Sequence, residues 1–240
     1  MLSLDAPTDV VVSYRVPYWQ QATLPIMAGP LSGSRWVVAS GGKVLRMICG
    51  TYEPEQTRLF ERHVLADSIV FDLGANVGYY TLLAAKLAHR GHVVAFEPEP
   101  RNAGFLRANI AANRCRNITV RELAVAGVSG TARFKLGRGS GTGALSCEGA
   151  LHVKLVSLDE FVADSGLSPT HLKIDVEGAE YEVLCGGTET LSLLRPTIFL
   201  STHGPLPHRS CCELLQDLNY DLRPIDGPDL ATAAELLCVG

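Results

Sequence analysis

Between residues 70 and 80 the chain reads Val-Phe-Asp-Leu-Gly-Ala-Asn-Val-Gly-Tyr-Tyr, and apolar residues at helical spacing follow through Leu87. An apolar run of this length suits a strand buried on both faces, and Gly74 and Gly78 let the backbone turn sharply and approach a ligand. Strand, glycine turn and helix in succession form the unit of a doubly wound α/β sheet, whose ligands lie beyond the carboxyl ends of the strands. Asp72 sits at that end of the first strand.

The turn discriminates between ligands. A dinucleotide fingerprint needs G-x-G-x-x-G, and the middle glycine is here Asn76, within a loop that reads D-x-G-x-N-x-G. A carboxylate ahead of the first glycine repels a pyrophosphate but pairs with a cationic amino group, which favours S-adenosylmethionine (SAM) over NAD. About 20 residues past the turn, a second strand, His92-Val93-Val94-Ala95-Phe96, ends in Glu97, where an acid receives both hydroxyls of a ribose. Carboxylates at two successive strand ends suit the two ends of SAM. A glycine turn that binds nothing would leave that pairing without a reason.

After residue 68 strand and helix patterns alternate, the order of a mostly parallel sheet with helices on both faces. Seven strands are expected near 69–73, 92–97, 118–123, 171–175, 196–202, 220–224 and 235–239. Helices are expected over 79–89, 100–113, 157–164, 178–185 and 208–218, the last carrying a core stripe of Cys211, Leu214, Leu215 and Leu218. Residues 1–66 lack this alternation. Val10-Val11-Val12, Trp36-Val37-Val38 and Lys43-Val44-Leu45-Arg46-Met47 read as short strands between proline and glycine breaks, so a small β-rich cap or flap (1–66) precedes a SAM-binding domain (67–240). An insert over 135–146 has glycine at 137, 139, 141 and 143, and no Gly-Lys-Ser/Thr follows it, which excludes a Walker-type phosphate loop. It lies between two hairpin strands, 131–134 and 152–156, where a flexible loop can fold over substrate.

With 240 residues and 47% hydrophobic content, one globular α/β domain with a sizeable core is the simplest organisation. The net charge of -4 gives no overall attraction to nucleic acid or to an anionic membrane. Arg101, Arg107, Arg114, Arg116 and Arg121 form a local basic stretch, read first as a solvated face. Were several to converge on the mouth of the site, they would suit a phosphate-bearing or acidic substrate. The seven cysteines are scattered, with no C-x-x-C pair, and no apolar run suggests export or a membrane span, so a cytoplasmic protein is expected. Whether it forms a homodimer stays open.

The phrases Thr51-Tyr52-Glu53-Pro54, Phe71 to Tyr80, Val94-Ala95-Phe96-Glu97-Pro98, Ser157-Leu158-Asp159 and Leu172-Lys173-Ile174-Asp175-Val176-Glu177-Gly178-Ala179-Glu180 resemble those of the FkbM-type SAM-dependent methyltransferases, in order, over roughly residues 50–205. The resemblance implies a Rossmann-like class I methyltransferase fold with a closing antiparallel hairpin. It also implies methyl transfer to an oxygen of a small molecule, such as a sugar or secondary metabolite, with S-adenosylhomocysteine as product. The cofactor set it implies joins Asp72, Gly74, Ala75, Asn76, Gly78 and Tyr79 of the loop to Glu97 and Pro98. Tyr52 and Glu53 are cofactor or lid contacts in the same sense, and Glu122 and Ala124 match the positions that face the adenine, although Glu122 could equally pair with one of the neighbouring arginines.

Methyl transfer requires the acceptor hydroxyl to be aligned, deprotonated and kept from water. Lys173 and Asp175 share one face of the fourth strand and Glu177 follows in the turn. Asp175 is expected to position SAM or the acceptor, and Glu177 or Lys173 is a candidate base. In the family pattern the fifth strand ends with glutamate and then histidine one residue beyond. Here Ser201 takes the glutamate position while His203 remains, which puts the proton-handling pair in doubt. The catalytic candidates are Asp175, Glu177 and His203. No metal-ligand spacing supports a divalent ion at these three, and no metal is assigned. The alternatives are a catalytically silent SAM-binding module, for which Ser201 speaks, and an N-methyltransferase on the same fold. An NAD-dependent dehydrogenase conflicts with Asp72 and Asn76.

Overall fold

The computed structural model describes residues 14–41, 43–137 and 143–240. A hairpin of β1 (Thr23–Pro25) and β2 (Arg35–Val37) comes first, then a short helix α1 (Val44–Ile48) and a longer α2 (Pro54–His63). The doubly wound part opens with β3 (Ile69–Leu73), α3 (Tyr79–Leu87), β4 (His92–Phe96), α4 (Pro100–Ala112) and β5 (Ile118–Arg121). A second, four-stranded sheet follows, made of β6 (Ala124–Ala126), β7 (Gly130–Lys135), β8 (Ala144–Leu145) and β9 (Leu151–Ser157). Then come α5 (Leu158–Ser165), β10 (His171–Ile174), α6 (Glu180–Cys185), α7 (Thr188–Leu194), β11 (Thr197–Ser201), α8 (Pro205–Asp217), β12 (Asp221–Pro224) and β13 (Glu235–Val239).

The main sheet has seven strands in the order β12-β13-β11-β10-β3-β4-β5, parallel throughout except where β13 inserts antiparallel between β11 and β12. From β3 the chain winds outward through β4 and β5, then returns to place β10 on the other side of β3. The winding therefore reverses between β3 and β10, and a crevice opens at their carboxyl ends. Side chains alternate between two cores. Val70, Val93, Phe199 and Leu237 face one cluster, while Phe71, Val94, Ile198, Leu200 and Leu236 face the other, as expected of strands covered on both faces.

All seven expected strands of this sheet are present to within two residues at either end. The strand expected over 118–123 stops at Arg121, because the chain crosses there to pair β6 with β9 in the second sheet. Residues 43–47, expected as a strand, instead contribute to helix α1. Val44 and Met47, three apart, then face the same side, whereas on a strand they would point to opposite faces. α7 was not foreseen. Its amino-terminal amides at Glu189 and Thr190 are capped by the carboxylate of Asp159, about thirty residues earlier, so no local signal marks its start. Expected strand 10–12 and most of the glycine insert, 138–142, lie outside the described residues.

The described residues before 67 hold two short strands, two α-helices and two single turns of 3-10 helix, and they share a core with the main sheet. Trp36 and Phe60 are buried with Val70, Leu83 and Phe199, and the Phe60 and Phe199 rings stand 4.9 Å apart. Asn109 of α4 ties this segment to the glycine loop. Its Oδ1 accepts from the Val37 amide at 2.8 Å and its Nδ2 donates to the Val77 carbonyl at 2.9 Å, both buried. Asn109→Ala would leave both backbone groups unpaired, at an expected cost of about 2 to 4 kcal/mol in urea unfolding. A loss under about 0.5 kcal/mol would mean the segment is held without this link.

Candidate active site

The crevice between β3 and β10 continues into a cavity. Its floor is the glycine loop, one wall is the strand ends of β4 and β10, and its cover comes from Trp36, Ser40, Lys43 and Met47 of the preceding segment and Phe134 and Leu145 of the second sheet. The glycine loop is set by close approach. Gly74 has φ 85°, and a Cβ there would stand 1.9 Å from the Asp175 carbonyl oxygen; at Gly78, φ 101°, a Cβ would meet Leu106 Cδ1 at 2.5 Å. Between them Asn76 adopts φ 52°, a conformation asparagine tolerates better than most residues.

Two buried carboxylates flank this loop. Asp72, 2% exposed, accepts from Thr81 Oγ1 at 2.5 Å, and burial raises its carboxyl to about 6. Glu97, 5% exposed, accepts from the Asn76 amide at 2.8 Å and the Glu99 amide at 2.9 Å; burial outweighs these bonds and raises it to about 7. Asn76 Oδ1, Asn102 Oδ1 and Trp36 Nε1 are buried without a hydrogen-bond partner, and all three residues line the cavity. Buried polar atoms are rarely left unpaired, so these mark a place for a polar ligand.

Further along β10 lies a charged group. Lys173, 1% exposed, donates to Ser201 Oγ at 2.8 Å and to Asp175 Oδ2 at 3.4 Å, with its ammonium 5.1 Å from the Tyr80 ring centre. Beyond Asp175, the His203 ring has Nδ1 2.9 Å from Glu180 Oε1, and Nε2 3.7 Å from Asp175 Oδ1 and 3.4 Å from Glu177 Oε2. The bond to Glu180 raises the imidazole above its ordinary range against the effect of burial. Burial works to raise Glu180, but the hydrogen bonds from His203 and Gly178 outweigh it and lower the carboxyl. Glu177, at φ 55°, is raised by burial.

Of the residues expected from sequence, Tyr52, Asp72, Gly74, Ala75, Asn76, Gly78, Tyr79, Glu97, Pro98, Ala124, Asp175 and Glu177 line the cavity. Three do not. Glu122 forms an ion pair with Arg107 on α4, the other of the two partners open to it in the sequence, and is not among the cavity-lining residues. Glu53 lies behind the wall, accepting from the Tyr80 hydroxyl at 3.0 Å. His203 stands behind Asp175 and Glu177. None of the five arginines of the basic stretch lines the cavity; Arg101 and Arg121 lie over the Phe105 and Phe161 rings. Sequence reasoning missed Trp36, Lys43, Asn102 and Phe134. Only Asn102 carried a signal, as an amide in the first turn of the helix that follows Glu97.

The methyltransferase FkbM domain matches residues 72–222 of the chain. The chain belongs to the FkbM methyltransferase family. This FkbM methyltransferase is 28% identical over 196 residues to the hexuronic acid methyltransferase AglP of Haloferax volcanii, a match that covers 80% of each chain. It is 28% identical over 179 residues to the 2-O-methyltransferase NoeI of Sinorhizobium fredii, covering 62% of this chain and 71% of NoeI. Among solved structures, the FkbM methyltransferase of Methylobacillus flagellatus shares the fold at TM-score 0.50 and 19% identity, over 73% of this chain; the chain spans only 44% of that protein. A SAM-dependent O-methyltransferase of Thermotoga maritima also shares it at TM-score 0.50 and 11% identity, covering 82% of this chain and 69% of the other.

The close approach at Gly74 can be separated from backbone strain alone. Gly166 has φ 66° with nothing within 4 Å of a built Cβ, so Gly166→Ala carries strain only. Gly74→Ala adds the collision with Asp175, and it is expected to destabilise by more than ~1 kcal/mol beyond Gly166→Ala in urea unfolding. Equal losses would mean that β3 and β10 separate freely at this end.

Proposed function

We propose that this methyltransferase uses SAM to methylate a hydroxyl of a sugar-like small molecule. The observation that carries the reading is the pair of buried carboxylates, Asp72 and Glu97, at adjacent strand ends beside a loop whose nearby polar atoms lack protein partners. Asp72 would hold the amino group, Glu97 the ribose hydroxyls, and Pro98 and Ala124 the adenine, with Asn102 Oδ1 serving as the acceptor that Glu122 was expected to be. Bound there, SAM supplies an electrophilic methyl on a sulfonium. The protein's own work is to hold the acceptor oxygen in line, exclude water beneath Trp36, Met47 and Phe134, and draw the hydroxyl proton toward Asp175, Glu177 and His203. A sugar-like acceptor is supported by AglP and NoeI, whose names specify a hexuronic acid and a 2-O position. All seven cysteines are free thiols, which favours a reducing compartment, and among the described residues no helix is long and apolar enough to cross a membrane.

Ser201, bonded to Lys173, favours a second reading in which SAM binds without turnover. Incubation with SAM and a panel of hexoses and hexuronic acids decides between them. Methylated product carries the enzyme reading, and SAM binding without product from any acceptor carries the silent one.

Two binding predictions follow from the pose. Asn102→Ala should weaken SAM at least roughly tenfold while Glu122→Ala leaves it within about twofold in calorimetric titration, since a lost hydrogen bond costs about 1 to 2 kcal/mol. The reverse order would restore Glu122 to the adenine. Glu97, raised to about 7, is partly protonated in the free protein at neutral pH, and only the carboxylate accepts from both ribose hydroxyls. SAM affinity should therefore rise from pH 6 to pH 8 and level off, with proton release on binding near pH 7 read from buffers of different ionisation enthalpy. A flat profile with no proton release would remove Glu97 from the ribose.

A further inference from the structure

The ends of β10 and β11 bring together three side chains whose potential ligand atoms all lie within 4.8 Å of one another: Asp175, Glu177 and His203. Their arrangement differs from that of an ordinary ion pair. His203 Nε2 is 3.4 Å from Glu177 Oε2 and 3.7 Å from Asp175 Oδ1, separations too long for good hydrogen bonds. They suit a shared ion, because ligand atoms around a cation at about 2.1 Å stand about 3 Å apart when adjacent and about 4 Å apart when opposite.

Glu180 determines what His203 presents. Its carboxylate can only accept, so the Nδ1 that it contacts at 2.9 Å carries the hydrogen, and Nε2, which offers a lone pair whenever the ring is neutral, is the nitrogen turned toward the two carboxylate oxygens. Two carboxylate oxygens and one ring nitrogen thus face one point, where a bound cation would replace the proton that the charged ring carries on Nε2. A carboxylate holding the far nitrogen of a histidine is the usual support of a metal-bound imidazole. Glu180 is fully buried; Oε1 also accepts from the Gly178 amide at 2.9 Å, and Oε2 has no hydrogen-bond partner. That carboxylate's charge is thus offset only on the side of His203, so added positive charge in the cluster would be stabilised from behind. Asp175 is also oriented: Lys173 lies near Oδ2, leaving Oδ1 toward His203.

We propose that Asp175, Glu177 and His203 hold a divalent cation of the Mg2+ or Mn2+ class, with Glu180 as a positioning residue. Two carboxylates and one imidazole are a donor set for a hard to intermediate ion, unlike thiolate-rich sites. Asp175 and Glu177 line the cavity, so open coordination positions face the acceptor side, where a hydroxyl or carboxylate oxygen of the acceptor would complete the shell. Binding of the ion stands by itself; its use on the acceptor rests on the methyltransferase reading, and with the ion bound the three residues serve as its ligands, so the proton-accepting part given to His203 applies only to the ion-free site. Each ligand is visible in the sequence as a candidate, but the spacing of a metal site is not, because two follow one strand and the third follows another.

The test uses the full chain freed of metal with chelator, titrated with Mn2+ alone, the unbound ion being read by its paramagnetic resonance signal. One Mn2+ per chain is expected, with a dissociation constant below about 1 mM. Glu177→Gln and His203→Ala should each weaken it more than roughly tenfold, and Glu180→Gln should weaken it by about tenfold without abolishing it. SAM titrated into the same variants provides a separate readout and should bind as in the unmodified chain. No Mn2+ bound at 1 mM, or binding unchanged in Glu177→Gln and His203→Ala, overturns the ion site and leaves the methyltransferase reading intact. Mn2+ binding without SAM binding would uphold the ion site and overturn the cofactor reading.

Discussion

The contact between Gly74 and the carbonyl of Asp175 is the constraint on which the rest of the site depends. With no side chain at position 74, the ends of β3 and β10 come together where the winding of the sheet reverses. Asp72 at the end of β3 and Asp175 just beyond β10 are then held on opposite sides of one crevice, and Glu97 joins them from β4 through the Asn76 amide. Carboxylates in such a place are costly to bury, and the raised values of Asp72 and Glu97 express that cost. A cationic or hydroxyl-bearing ligand relieves it. The same burial that strains the free protein thus supplies part of the free energy of binding.

How much of this was legible depended on how local each signal was. The strands of the main sheet are short apolar runs bounded by turns, each of which states its own burial, so their positions were readable residue by residue. The glycine loop was equally plain, because positive φ at Gly74 and Gly78 leaves a mark in residue type. Where structure depends on distant partners the sequence was mute or misleading. α7 is capped from Asp159, and Val44 and Met47 are drawn to a cavity that exists only after folding; for Glu122 the sequence left adenine and arginine both open, and the fold pairs it with Arg107. Asp175, Glu177 and His203 were each visible as candidates, but their mutual distances were not, since these depend on the parallel register of β10 and β11.

The chain's segment before the main sheet is both scaffold and wall. Trp36 and Met47 are members of the core cluster that includes Leu83 and Phe199, and both also line the cavity. Lys43 lines the same cavity and is exposed, while Val44 lines it half-buried against that core. Two kinds of wall therefore line the cavity, one tied to the packing of the core and one, at Lys43, free of it.

That division bears on how such an enzyme can change its preferences over generations. A substitution at Trp36 or Met47 alters the shape offered to an acceptor only by drawing on the stability of the whole molecule, and most lineages have little to spare. Lys43 carries no such burden. Change in the shape of the cavity is thus channelled through that exposed position ahead of α1, while the glycine-loop side of the crevice, locked to the sheet by Gly74 and Asn109, is left to drift least.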